Sequence, residues 1–450
     1  MDDLNATVQA LKTTVAALET AVEGGKFLNA GDANSLYLTL MGILVFFMQA
    51  GFALLEAGSV RAKNTKNILM KNLLDACIGA IIWWAWGYGI AYDGGGSDGD
   101  AGNGFIGHGD GQTLGSFFVW DYNQPDDGSA YAGWWFQYVF CAAAATIVSG
   151  AMAERTTLVG YLAYTVGISG FIYPVVVYWT WGYGWAYSFN GGLIDFAGSG
   201  IVHMTGGVAA LTGAAIVGPR KGRFDEEKKP IPMPAHNTTF QVLGTFILWL
   251  GWYGFNPGST LAIAGSGQKM ARCVCTTTMS AAAGGITVVL TDKLFISHTW
   301  DVGRLCNGIL AGLVSITAGT AALKPILAIV AGIIGGWVYL LSSFLVLNKC
   351  RVDDPLDAFC VHGACGAWGV IAAALMACDE FGTAGAFYGN GAPLTCAIVF
   401  ILADAAWVGG LSAIMFLPLK MMGLLRVSAD TEDAGLDVSK HGGGAYNANK

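Results

Sequence analysis

The sequence predicts an all-α polytopic membrane protein, and three observations support that fold class. Of its 450 residues, 54% are hydrophobic and 12% are charged, about half the charge of a soluble chain. The mean hydropathy is +0.52. The 65 glycines follow no collagen period and suit close helix packing in lipid. The composition excludes an ordinary cytosolic enzyme, and the net charge of −8 argues against a nucleic-acid binder.

About eleven apolar runs are long enough to cross a bilayer, which takes about 20 helical residues. The predicted crossings are 36–57, 72–92, 132–153, 157–186, 198–218, 237–255, 271–292, 304–320, 325–347, 358–377 and 393–417. An odd number of crossings places the two termini on opposite sides of the membrane.

Lysine and arginine set the orientation, because they favour the cytosolic side. With the N-terminus outside, the inner segments hold all of the 23 lysines and arginines except Lys12, Lys26, Lys269, Arg272 and Lys324. We therefore expect an extracellular N-terminus and a cytosolic C-terminus.

The crossings divide the chain into an extracellular segment (1–35), a transmembrane domain (36–417) and a cytosolic tail (418–450). In the first segment, alternating steps of four and three residues separate Leu4, Val8, Leu11, Val15, Leu18 and Val22. Such steps are typical of a coiled-coil seam. The pattern favours either a short coiled coil that supports oligomerisation or a single amphipathic helix on the outer face.

Two pairs of short segments repeat weakly along the chain. Residues 49–52 are similar to 252–255, and residues 202–207 are similar to 361–366. Five crossings separate the members of each pair, so the second copy enters the membrane from the opposite side. The sequence therefore predicts an inverted repeat of crossings 1–5 and 6–10, an arrangement that places substrate sites near the midplane.

Each predicted repeat contributes one histidine inside a crossing, His203 and His362. An ionisable residue at that depth indicates function. Two neutral imidazoles could share a proton and bind a small polar solute, whereas burial disfavours the protonated ring. The alternatives are two core histidines with satisfied hydrogen bonds, or ligands of haem or a metal. No further ligands occur at regular spacing, so we expect no metal and no cofactor.

Several segments together carry a family resemblance: 151–155, 195–220, 251–256, 351–355 and 437–443. They occur in the order found in the ammonium transporter (Amt/Mep/Rh) family, which the chain resembles from about residue 36 to 446. The last segment is similar to the plant and algal branch. The resemblance implies a homotrimer.

The resemblance also implies an outer site. Phe140 and Phe255 match a stacked phenylalanine gate, and Trp181 and Ser259 with the Phe140 ring match a site that recruits ammonium. Aromatic faces attract a compact cation, by about 2 kcal/mol when it is desolvated. Without the resemblance, Trp181 would be interpreted as an interfacial residue and the phenylalanines as packing aromatics.

Further positions match below this site and in the tail. His203 and His362 match the twin pore histidines, and Asp195 matches a buried carboxylate. We expect Asp195 to bind free N–H groups at a helix N-terminus, which organises the site and adds negative potential. Ser439 matches a position whose phosphorylation by a kinase closes the pore. The alternative for Ser439 is an ordinary exposed serine.

The predicted function is transport of ammonium for nitrogen uptake across the plasma membrane, without enzymatic activity. Ammonium is recruited outside and deprotonated, and ammonia crosses an apolar pore past the histidines with net charge transfer. One alternative is a Rh-like channel for neutral ammonia gas. Another is an ammonium sensor, which would need a separate signalling partner because we expect no signalling domain after the last crossing.

Overall fold

The computed structural model describes residues 2–23, 29–92, 104–107 and 129–446, and its secondary structure there is helical apart from two isolated β-bridges. The helices are α1 (Asp2–Glu23), α2 (Ala30–Ser59), α3 (Ala62–Tyr92), α4 (Ser129–Ala151), α5 (Leu158–Gly191), α6 (Ser199–Val217), α7 (Thr238–Gly258), α8 (Gly267–Ile296), α9 (Val302–Thr317), α10 (Pro325–Lys349), α11 (Phe359–Met376), α12 (Ala392–Met421), α13 (Ala429–Ala434) and α14 (Leu436–Lys440).

Helices α2 to α12 correspond one for one to the predicted crossings. Eight of the helices in the described ranges are long and apolar enough to cross a membrane. Helix α2 begins earlier than predicted, because the Asn29 side chain accepts a hydrogen bond from the Asp32 N–H and caps it. Helix α3 also begins earlier. Polar residues before position 72 interrupt its apolar run, yet Lys71 is buried inside the helix.

Interruptions of the α-helical hydrogen bonding repeat between the two halves, α2–α6 and α7–α11. Among the described residues, three π-helical turns of the first half have counterparts on corresponding helices of the second: Trp83–Gly87 with Asp292–Ile296, Ile168–Ile172 with Leu345–Lys349, and Ser199–Met204 with Phe359–Ala364. Helix α2 packs along α7, and α6 packs on α11. Corresponding helices of the halves thus meet at the centre, as the predicted inverted repeat requires.

Two glycines permit the crossing of α6 and α11. A Cβ atom added to Gly207 would overlap the backbone of Gly363, and one added to Gly366 would overlap the carbonyl oxygen of Ser199. Gly207 and Gly366 each follow a histidine by four residues. The repeated glycines therefore bring the backbones close enough for the two histidines to meet.

Large apolar side chains point outward on the membrane helices. Leu73, Phe246, Ile326 and Leu402 are each more than half exposed although their helices are otherwise packed. Such surfaces suit contact with lipid. The predicted N-terminal segment forms α1, whose Val8, Leu11 and Val15 are exposed, a feature that both the coiled coil and the amphipathic helix require.

A buried ionic cluster joins the loops at the end of the bundle that holds the C-terminal tail. Arg220 contacts Asp353 (2.8 Å) and Glu154 (2.6 Å), and Arg61 also contacts Glu154. Burial opposes ionisation of Asp353, but its bonds to Arg220 outweigh that effect and hold the carboxyl pKa well below its usual value. The cluster connects the loops that follow α2, α4, α6 and α10.

Candidate functional site

Four of the predicted site residues line one pocket: Phe140, Trp181, Ser259 and Asp195. Phe140 on α4, Trp181 after Tyr173–Thr180 of α5, and Ser259 at the C-terminus of α7 border a cavity of about 500 Å³. The rings of Phe140 and Trp181 are 6.0 Å apart at 76°, so an edge meets a face. The Ser259 Oγ donates to the Phe255 carbonyl oxygen at 2.9 Å. Its lone pairs therefore stay free to accept a hydrogen bond from a ligand.

A pair of stacked phenylalanines closes the floor of this pocket. The ring centroids of Phe140 and Phe255 are 3.9 Å apart at an angle of 23°, and both side chains are buried. The other face of the stack meets His203, whose ring lies 5.4 Å from that of Phe255. The pocket and the histidine are thus separated by two rings.

His203 and His362 form a hydrogen-bonded pair below the phenylalanines. Their Nδ1 atoms are 3.2 Å apart, so one ring donates and the other accepts. Trp252 stacks on His203 with centroids 5.0 Å apart. The buried Nε2 of His203 has no hydrogen-bond partner among the described residues. Among all the residues that the structure describes, no cluster of three or more His, Cys, Asp or Glu side chains could hold a metal ion.

Asp195 caps the helix that carries His203. Its two carboxylate oxygens accept hydrogen bonds from the backbone N–H groups of Gly198, Ser199, Gly200 and Ile201, at 2.7–3.0 Å. The Trp181 Nε1 donates to the backbone oxygen of Asp195 at 3.1 Å, which fixes the indole in the outer pocket. One residue therefore orients both the helix below and the aromatic wall above.

Asp354 occupies the corresponding position in the second half, and sequence reasoning missed it. It precedes His362 by eight residues, as Asp195 precedes His203. Its Oδ2 accepts a hydrogen bond from the Phe359 N–H at 2.9 Å, at the start of α11. The repeated eight-residue spacing was the available signal, since the match of 202–207 to 361–366 extends upstream to these aspartates.

The C-terminal tail contacts the N-terminal part of α3. The Asp437 carboxylate accepts hydrogen bonds from the Lys66 and Asn67 N–H groups, each at 3.0 Å. Glu432 pairs with Arg426 at 2.8 Å. Ser439, the predicted phosphorylation site, is exposed two residues after Asp437. The tail thus contacts α3 of its own chain next to an accessible serine.

An inverted repeat of membrane helices with an outer aromatic pocket above buried polar groups defines an integral membrane transport protein. Sequence comparison gives the family. The model of the Ammonium Transporter Family matches residues 36–446, and the chain belongs to that family.

Two relatives match nearly the whole chain. Ammonium transporter 1 member 3 of Solanum lycopersicum is 40% identical and covers 93% of this chain and 94% of its own length. Ammonium transporter 3 of Dictyostelium discoideum is 42% identical, covering 90% and 91%.

Solved structures agree with the fold. A protein described as Sensor Amt Protein matches with a TM-score of 0.83 at 31% identity, covering 91% of this chain and 98% of that one. Saccharomyces cerevisiae Mep2 matches with a TM-score of 0.77 at 26% identity, covering 88% of each. The predicted family and all-α membrane fold are confirmed.

Proposed function

We propose that this chain carries ammonium across the membrane along the line from the outer pocket to the histidine pair. The observation that carries the proposal is the unbroken series of rings from Trp181 through Phe140 and Phe255 to His203 and His362. The series joins a pocket suited to a cation to a buried site suited to a neutral solute.

Recruitment takes place in the 500 Å³ pocket. The faces of Trp181 and Phe140 attract ammonium electrostatically, and the free lone pairs of Ser259 accept one of its N–H groups. Alkali cations have no N–H group to donate, so the serine favours ammonium. Asp195 adds negative potential nearby while its oxygens remain bound to backbone N–H groups.

Passage below the pocket requires loss of the proton, because a desolvated cation is costly in an apolar pore. Ammonium gives its proton to the Nε2 of His203 as it passes the Phe140–Phe255 stack, which moves to admit ammonia. Ammonia then binds the unpartnered Nε2 of His203, while the proton follows along the imidazole pair. Net charge therefore crosses with each ammonia.

Electrical recording tests this function. The full chain is expressed in oocytes, and ammonium is applied at neutral pH with potassium as the comparison ion. We expect a saturable inward current with ammonium and none with potassium. Ammonia-dependent changes in internal pH without any current would instead support a Rh-like gas channel, and neither signal would support the sensor.

We further propose that the protein acts in the plasma membrane as a homotrimer whose tails control transport. The tail docked by Asp437 and the exposed Ser439 beside it support control by the tail, whereas the trimer and the plasma membrane are proposed from the family resemblance. A phosphate placed there by a kinase would bring about −1.5 to −2 charges close to Asp437 and repel it. A tagged chain located by microscopy tests the membrane, and mass measurement in detergent tests the trimer.

A further inference from the structure

We propose that Glu56 is the proton-carrying group at the inner end of the pore, where it returns a proton to ammonia leaving His362. The inference rests on the proposed transport of ammonium and assigns the residue that completes it. Glu56 lies on α2, one helical turn after Phe52.

Glu56 shares a small cavity with His362. The cavity measures about 20 Å³ and is lined by both residues, with Phe52, Asn307 and Leu356 among the other walls. A volume of that size holds about one molecule of water, and ammonia or ammonium is of similar size. The cavity lies on the side of His362 that faces Phe52, whose ring centroid is 6.1 Å from that of the imidazole.

The Glu56 carboxyl is buried and held in place by neutral partners. One oxygen accepts a hydrogen bond from the Ser149 Oγ, and the other accepts one from the Asn72 Nδ2 at 2.9 Å. The Asn72 Oδ1 is also buried and has no partner in the described part of the chain. Asn72 itself does not line the cavity, so its role is to hold the carboxyl group that does.

No cation neutralises Glu56 by direct contact. None of the ion pairs in the described ranges involves it. Because a carboxylate without a contacting cation is costly within the membrane, the resting side chain carries a proton, and the carboxylate forms when a cation contacts it in the cavity.

Other titratable groups pack around Glu56 but have partners of their own. Asp75 on α3 accepts hydrogen bonds from Tyr161 and Thr165. Lys71, one turn earlier on α3, donates to the Thr156 carbonyl oxygen at 3.1 Å. Both interact electrostatically with Glu56, whereas on the pore side the titratable group is His362. Glu56 is therefore the acid that faces the cavity.

The step balances without any further reagent. The lone pair of ammonia takes the proton from the Glu56 carboxylic acid, which leaves ammonium paired with a carboxylate. The ion leaves for the cytosol, and the carboxylate regains a proton from the His203–His362 pair. That proton is the one the substrate lost at the outer site.

The test uses the full chain in liposomes with ammonium currents recorded at several internal pH values. In Glu56→Gln, which keeps the shape but not the acid, we expect the maximal current to fall at least about tenfold. The half-saturating ammonium concentration should stay within about twofold, because the outer pocket is intact. The current of the variant should also lose its dependence on internal pH.

Asp292→Asn is the matched control. Asp292 is a buried carboxylate near Arg304 that does not line the cavity, so its current and pH dependence should match the unmodified chain. Glu56→Asp keeps a carboxylic acid at this position and so remains informative if Glu56→Gln misfolds. Its current should lie between that of Glu56→Gln and that of the unmodified chain. A Glu56→Gln current equal to that of the unmodified chain, with the same pH dependence, overturns the proposal.

Infrared spectroscopy of the purified chain gives a readout that needs no transport. Added ammonium should remove the carbonyl stretch of a protonated carboxylic acid in the unmodified chain and in Asp292→Asn, but not in Glu56→Gln. If the unmodified chain shows no ammonium current, the proposed function fails, and the infrared signal still decides whether Glu56 gives its proton to ammonia. The same signal in Glu56→Gln rejects the assignment.

Discussion

The imidazoles of His203 and His362 face each other through their Nδ1 atoms at 3.2 Å. One proton lies between them, so the rings must be opposite tautomers: one Nε2 carries a hydrogen and the other a lone pair. The pair can therefore both donate to and accept from a passing solute. Each ring comes from the same position of its half of the inverted repeat.

Removing one imidazole should abolish the ability of the pair to both donate a hydrogen bond to the solute and accept one from it. In His203→Ala we expect the ammonium current to fall at least about tenfold, because proton transfer by a positioned group typically contributes more than that. His298→Asn is the control, since His298 is exposed outside the pore and asparagine tolerates its positive φ of 60°. A His203→Ala variant with unchanged current and ion selectivity would remove the role of the pair.

The phenylalanine stack should keep ions out of the pore. Phe255→Ala deletes one of the two rings between the pocket and His203, so we expect a potassium current that the unmodified chain lacks. The buried cavity should also cost about 3–5 kcal/mol in stability. Phe246→Ala on the same helix is the control, because its ring is 63% exposed. Continued exclusion of potassium in Phe255→Ala would contradict a gating role.

Asp195 should matter through the N–H groups it binds. In Asp195→Asn only one side-chain oxygen remains for four N–H groups, so we expect a loss of at least about 2 kcal/mol and a lower ammonium current. Asp301→Asn is the control, since Asp301 caps an exposed helix start through one N–H and asparagine caps equally well. Thermal unfolding in detergent measures both. Equal stability of the two variants would refute the capping role.

The Arg220–Asp353 pair should anchor the loops at the tail end of the bundle. Asp353→Asn leaves a buried arginine short of its partner, and we expect the free energy of unfolding to fall by about 3–5 kcal/mol. Glu227→Gln, in an exposed pair with Lys229, should change little.

The same pair predicts an acid limit. The Asp353 pKa is lower in the folded chain than in the unfolded chain. Its stabilisation is therefore complete above the unfolded value of about 4 and is lost as the pH falls through the lower folded value. The Asp353→Asn variant should show less loss of stability over that acid range than the unmodified chain.

Phosphorylation should act through the tail. In Ser439→Asp we expect ammonium uptake to fall, because a second carboxylate lies near Asp437 and weakens its contact with α3. Ser439→Ala should transport normally, which separates loss of the hydroxyl from gain of charge. Equal uptake by the two variants would leave Ser439 an ordinary surface serine.

Hydropathy and local repeats predicted much of this molecule. The eleven crossings follow from apolar length, and the meeting of His203 and His362 follows from the match between 202–207 and 361–366. Both signals lie within short stretches of sequence, so one sequence is enough to find them.

The site proposed around Glu56 could not be predicted in this way. Glu56 gains its partners from Asn72 on α3 and Ser149 on α4, which the sequence places in separate crossings. Side-chain register across three helices decides that contact, and hydropathy does not report register. The start of α3 was predicted too late for a related reason. In the sequence Lys71 resembles a loop residue, but it is buried in the helix and donates to a carbonyl group far along the chain.

Gly207 and Gly363 lie so close together that no further atom fits between α6 and α11 at this point. Backbone against backbone sets how far apart α6 and α11 stand, and no flexible side chain lies between them to absorb a change. A methyl group added at Gly207 would overlap the backbone of Gly363 and push the two helices apart. The hydrogen bond between the imidazoles would then lengthen. The hydrogen bond between the two imidazoles therefore depends on a helix separation that cannot increase by even the width of one carbon atom.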